Sequence, residues 1–161
     1  MRDYSRLCEE LLSLVEGETS SIANLANAAA LLFQRFRWHW VGFYLVEGKE
    51  LVLGPFQGPV ACTRIGYGKG VCGQSWQQEA TLNVPVVEAF PGHIACSPHS
   101  KSELVIPLFD PQKNCWGVLD IDSEKTHDFD AQDEKELQKF CETLSSQIFL
   151  SKSTASAPSR S

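Results

Sequence analysis

A switch in the spacing of apolar residues near position 37 limits what this chain can fold into. Upstream, Tyr4, Leu7, Cys8, Leu11, Leu14 and Val15 recur at helical spacing over residues 3–15, and Gly17 ends the pattern. Ile22, Leu25, Ala26, Ala29, Phe33 and Phe36 predict a second helix over about 22–36, with Ser20 or Ser21 as N-cap. From residue 38 the period becomes two: WHWVGFYLV sends Trp40, Gly42 and Tyr44 to one face of a strand and Val41, Phe43 and Leu45 to the other. Glu47-Gly48 signals a turn, with a return strand over 50–56. A second hairpin follows at 103–109 and 115–122, and a strand over 81–87 contains Pro85, which places it at an edge or a bulge. Asp130 and Asp133 form a capping pattern ahead of a last helix whose stripe is Leu137, Phe140, Cys141, Leu144 and Ile148. This order predicts an α+β domain over 1–150: a central antiparallel sheet with the N- and C-terminal helices on one face and long loops across the other. The segment SKSTASAPSRS at 151–161 has no apolar face and is expected to be a disordered tail.

A chain of 161 residues can bury a core without metal or disulfide staples. Its net charge of -6, with no clustered basic face, argues against nucleic-acid binding. Its apolar runs fall short of a membrane span and the start MRDYSRLCEE is too polar for a signal peptide, so no membrane association and a cytoplasmic location are expected. In such a compartment the cysteines at 8, 62, 72, 96, 115 and 141 read as catalytic, metal-binding or inert rather than as a disulfide framework. Cys8 and Cys141 fall on helical stripes and Cys115 opens a strand, which makes these three structural. Cys62, Cys72 and Cys96 lie in the Gly/Pro-rich middle and carry the functional question.

Cys96 sits in the loop FPGHIACSPHSKSE at 90–103, with His93 and His99 three residues to either side. A nearby imidazolium would raise the thiolate fraction and make Cys96 a nucleophile; the other reading is a small buried hydrophobe. Cys72 falls in the first turn of a short helix over Val71–Gln78, where the helix dipole favours a thiolate. The glycines at 66, 68 and 70 lack the spacing of a phosphate-binding loop. Asp120 and Asp122 share one face of the last strand, either as a buried like-charge pair or as a strand end in solvent. Thiol redox chemistry on a small polar molecule fits these residues. A zinc site drawn from Cys62, Cys72, His93, Cys96 and His99 competes with it, but there is no CxxC pair, H-x-x-C-x-x-H is no common zinc spacing and the deaminase signature is absent.

GPVACTRIGYGKGVCG at 58–73, FPGHIAC at 90–96, SELVIP at 102–107 and GVLDIDS at 117–123 resemble the free methionine-(R)-sulfoxide reductase family, a one-domain GAF-type enzyme. The resemblance spans most of residues 20–148. It implies that Cys96 attacks the sulfoxide sulfur of free methionine-(R)-sulfoxide, that Cys62 resolves the resulting sulfenic acid as a disulfide, and that Cys72 is an auxiliary or alternative resolver. It implies aromatic contacts from Trp40 and Tyr44 to the methylthio end, a substrate loop containing Ile94 and Ala95, and an acidic cluster of Glu103, Asp120 and Asp122 in which Glu103 and Asp122 serve catalysis. Thioredoxin or another dithiol would be the reductant, with no bound metal, flavin or nicotinamide, and a homodimer would form through the terminal helices. This chain has Val86 and Ser97 where the family usually carries aspartates. A non-catalytic GAF-type ligand or redox sensor is the alternative; it leaves the three loop cysteines unexplained, and a sensor usually carries an output domain for which the chain has no room.

Overall fold

The computed structural model describes residues 1–94, 96 and 98–155. Helices α1 (Leu7–Val15) and α2 (Ser21–Phe36) precede strands β1 (Trp40–Glu47) and β2 (Glu50–Gln57). A short β3 (Arg64–Gly66), helix α3 (Gly70–Gln78) and β4 (Leu82–Val84) lead to β5 (Ser102–Phe109), β6 (Cys115–Ser123) and the closing α4 (Ala131–Ala155). The strands form one antiparallel sheet in the order β3-β2-β1-β6-β5-β4. The two hairpins therefore lie side by side, joined through β1 and β6, and the short strands close the edges.

Period-two alternation divides the core into two layers. Val41, Phe43, Leu104, Ile106, Leu119 and Ile121 pack under α1, α2 and α4, against side chains such as Leu11, Leu32, Phe140 and Leu144. Trp40, Tyr44, Val105 and Val118 point the other way, beneath α3 and the long loops, where they meet Val71, Cys72 and Val87. The expected α+β arrangement is the observed one. No described helix is long and apolar enough to cross a membrane.

Four details depart from expectation. The strand placed over 81–87 keeps only Leu82–Val84, because Pro85 has no N–H to extend the ladder and the chain then makes a 3₁₀ turn at Val87–Ala89. Part of the glycine-rich middle, Arg64–Gly66, is a strand paired with β2. The buried stripe of α2 is rotated: Leu25, Ala28, Ala29 and Leu32 face the core while Ile22 is 73% exposed. Asn24 accounts for the rotation, since its buried side chain donates to the Glu18 carbonyl and pins the helix in that orientation. Finally, α4 runs five residues past Leu150, so 151–155 is helical; the remainder of the expected tail, 156–161, lies outside the described residues.

The sheet's helical face is tied together at Asp133. Its carboxylate accepts from the Asp130 backbone N–H as a cap for α4, from the buried Tyr4 hydroxyl at 2.6 Å and from Arg2 at 2.8 Å. Asp133→Ala should break the reciprocal half of the α4 capping box and orphan Tyr4, costing roughly 2–4 kcal/mol of unfolding free energy by urea titration. Alanine at the exposed Lys135 is the control expected to lie within about 0.5 kcal/mol of the parent.

Candidate active site

The register of three central strands builds an acidic cluster. On the loop-covered face, Trp40 of β1 lies opposite Asp122 of β6, which lies opposite Glu103 of β5; one row along, Gly42, Asp120 and Val105 are aligned in the same way. Glu103 and Asp120 are each 6% exposed and Asp122 is half-buried. The two aspartates are therefore not a strand end in solvent. Moving charged carboxylates out of water is unfavourable, and crowding them adds repulsion. Burial, reinforced by Asp120 and Asp122, pushes the Glu103 carboxyl well above the usual carboxylate range. Asp122 is displaced in the same direction by burial and by Asp120, against a hydrogen bond from Ser100. Asp120 rises least, to about 6, because hydrogen bonds from Glu103 and Cys72 favour its charged form. Near neutral pH the cluster thus favours an ionised Asp120 accepting from a protonated Glu103.

Aromatic side chains form the adjoining wall. The Trp40 ring stacks on Phe56 and Tyr44, with centroids 5.2 and 5.9 Å away. Gly42 makes this possible: a Cβ there would lie 2.3 Å from the Phe56 Cβ and 2.6 Å from Trp40 Cη2. The polar ends of both aromatics are used to hold the loop after β2. Trp40 Nε1 donates to the Pro59 carbonyl at 3.0 Å and the Tyr44 hydroxyl to the Cys62 carbonyl at 2.8 Å. Burial, with acidic neighbours, pushes the Tyr44 phenol upward, so it stays a donor.

That loop presents Cys62 to the loop between β4 and β5, and Cys62 and Cys96 form a disulfide with Cα atoms 5.6 Å apart. Cys72 behaves differently. Its Sγ–H points at Glu103 Oε1, 4.0 Å away, and it is buried. Burial first, then Asp120, Glu103 and Asp122, push its thiol pKa well upward, outweighing the helix dipole that was expected to favour a thiolate. His93 Nε2 lies 3.9 Å from Glu103 Oε2, and burial lowers its pKa, favouring a neutral imidazole rather than the expected imidazolium. His99 lies beside His39, with ring centroids 5.9 Å apart.

Trp40, Tyr44, His93, Cys96 and the three carboxyls line a cavity of about 40 Å³. That is room for a few waters, against roughly 300–1,000 Å³ for an open small-molecule pocket. A larger groove of about 820 Å³ runs between β5 and α4, but its cysteine, Cys141, is buried with its thiol pushed up by burial, and among the described residues no trio of buried carboxyls lies beside it. The chemistry converges on the smaller cavity.

A family model described as GAF domain matches residues 11–148. The chain is 57% identical over 142 residues to GAF domain-containing protein A of Dictyostelium discoideum, covering 88% of this chain and 89% of that protein. It is 44% identical over 142 residues to free methionine-R-sulfoxide reductase of Escherichia coli K12, covering 88% and 86%. It is also similar to the X-ray structure of free methionine-R-sulfoxide reductase from Neisseria meningitidis in complex with its substrate, at a TM-score of 0.90 and 48% identity over 94% of this chain and 91% of that one. The chain belongs to the free methionine-R-sulfoxide reductase family of GAF domains.

Of the residues singled out by resemblance to the free methionine-R-sulfoxide reductase family, Trp40, Tyr44, Ile94, Cys96, Glu103 and both aspartates line the cavity. Cys62 is bonded to Cys96 and Cys72 lies against Glu103. Ala95 and Ser97 fall outside the described residues. The structure adds Val60, Ala61 and Ser100 to the wall. The first two were signalled only by adjoining Cys62, and Ser100 by adjoining the strand that carries Glu103.

The crowded carboxyls have a stability signature. Asp120 has an ordinary pKa of 3.8 and about 6 in the fold, so the unfolded chain ionises first and stability is lost as pH rises through that interval. Asp120→Asn cannot ionise. It should be more stable than the parent above pH 6 by roughly 1–3 kcal/mol, with the gain vanishing below about pH 4, in thermal unfolding across that range.

Proposed function

We propose that this protein reduces free L-methionine-(R)-sulfoxide to L-methionine. The supporting observation is the Cys62–Cys96 disulfide beside a buried, partly protonated acidic cluster and an aromatic wall, in a chain similar to reductases of that name. The solved relative from Neisseria meningitidis contains its substrate, and the present chain aligns with 91% of it.

In this reading the Cys96 thiolate attacks the sulfoxide sulfur while Glu103, or Asp122 beside it, gives a proton to the sulfoxide oxygen. The oxygen passes to Cys96 as the sulfur–oxygen bond breaks, leaving methionine and a Cys96 sulfenic acid. The Cys62 thiol condenses with that sulfenic acid, forming the disulfide and releasing water. A dithiol protein, thioredoxin in the simplest case, then reduces the disulfide by exchange and regenerates both thiols. The sequence of steps draws on no bound metal, flavin or nicotinamide. Cys72, a buried high-pKa thiol aimed at Glu103, is suited to holding that carboxyl rather than to resolving.

Burial of an amino acid's ammonium and carboxylate needs charged partners that peptide amides cannot replace. Activity on free methionine-(R)-sulfoxide should therefore greatly exceed that on a sulfoxide-containing peptide or on the S epimer, and equal rates would contradict the reading. Thiol roles separate in single turnover. Cys96→Ser should yield no methionine, whereas Cys62→Ser should release up to one methionine per site in a burst, leave a sulfenic acid that dimedone labels, and turn over poorly with thioredoxin. Glu103→Gln should slow the burst step about 10²-fold; an unchanged burst would remove Glu103 from the chemistry.

A further inference from the structure

We propose that Cys72, Glu103 and Asp120, with His93 beside them, form a binding site for a thiophilic divalent cation, Zn²⁺ being the fitting example. One ligand atom from each of the first three lies within 4.8 Å of the others, and all three residues are buried. Tetrahedral zinc, with Zn–S near 2.3 Å and Zn–O near 2.1 Å, places sulfur and oxygen ligands roughly 3.6 Å apart. Cys72 Sγ and Glu103 Oε1 are 4.0 Å apart, so a contraction of a few tenths of an ångström brings them into range.

A further observation points to a ligand. Whatever Glu103 and Cys72 give to the Asp120 carboxylate, its Oδ1 has no hydrogen-bond partner among the described residues, although the residue is 94% buried and faces the cavity. Such an orphaned oxygen is costly unless something charged or protic approaches it. His93 lies outside this set, its Nε2 3.9 Å from Glu103 Oε2, the carboxylate oxygen other than the one facing Cys72. One sulfur and two carboxylates suit zinc and its borderline neighbours, with solvent completing the tetrahedron; magnesium and calcium prefer six or more oxygens.

The donor set differs from the one the sequence offered. Cys62 and Cys96 are joined to each other, and the carboxylates of β5 and β6 take their place. On binding, the Cys72 thiol and the protonated Glu103 carboxyl each lose a proton to solvent and no electrons move. The dication offsets the mutual repulsion of a thiolate and two carboxylates. If the proposed reaction is correct, an occupied site withholds the carboxyl acid and blocks reduction; the binding itself does not depend on that reading.

The test uses the full chain in its disulfide form, which removes Cys62 and Cys96 as ligands. Zn²⁺ is titrated by calorimetry and Co²⁺ is used as an absorption probe for thiolate coordination. The expected result is one Zn²⁺ per chain and a thiolate-to-cobalt band. Cys72→Ser should abolish the band and weaken Zn²⁺ binding at least 10-fold. The near-isosteric Glu103→Gln should retain the band and weaken binding by a similar factor, within the range seen when a metal site loses a supporting group. Absence of saturable binding overturns the proposal, as does a band that survives in Cys72→Ser, which would place the thiolate at Cys8, Cys115 or Cys141. Undiminished affinity in Glu103→Gln overturns it as well.

Discussion

Everything at the site depends on three carboxyl groups being forced together by strand register. Antiparallel pairing sets Glu103 opposite Asp122 and leaves Asp120 one row away, on a face that loops and α3 close off from water. An isolated buried carboxylate is unfavourable, and three are worse, so the system relaxes by retaining protons. The sheet has to hold this arrangement against its own electrostatics. It does so with the other face, where Val41, Phe43, Leu104 and Leu119 are buried against three helices. Stability resides on one side of the sheet, which lets the other carry groups that a fold selected only for stability would exclude.

The loops are positioned by the same wall that lines the cavity. Trp40 and Tyr44 each use a ring to shape the pocket and a polar atom to hold the Cys62 loop, so a change at either residue acts on both. The Cys96 loop is set from the α3 side: Gly70 has φ +60°, and a Cβ on it would fall 3.0 Å from Ile94 Cδ1. Glycine is needed there for both the left-handed backbone and the approach of Ile94. These two supports bring the cysteine Cα atoms to 5.6 Å, within disulfide range.

Much of this was legible in the sequence because period two and period 3.6 are strong signals in long elements. The phase of β1, the second hairpin, the Asp130–Asp133 cap and the α4 stripe all follow from side-chain spacing. Where local cues compete, the pattern alone does not decide. Ala and Leu line much of α2, so the helix could bury either of two neighbouring stripes, and the side-chain bond of Asn24 selects between them. β3 is only three residues long and exists because β2 offers it an edge. For Cys72, helix position suggested a thiolate, while burial beside carboxyls, a purely tertiary fact, favours the thiol. Tethering of the Cys62 loop by Trp40 and Tyr44 left no mark in sequence, since it depends on where a glycine-rich loop returns over β1.

The fold keeps one carboxyl of this cluster protonated where an ordinary carboxylate has ionised. Carbon-13 NMR of glutamate side-chain carboxyls, with Glu103 assigned by its loss in Glu103→Gln, measures this directly. Glu103 should titrate well above the exposed glutamates and move downward when Asp120 is replaced by asparagine. A Glu103 titration that coincides with those of the exposed glutamates and is indifferent to Asp120 would contradict it.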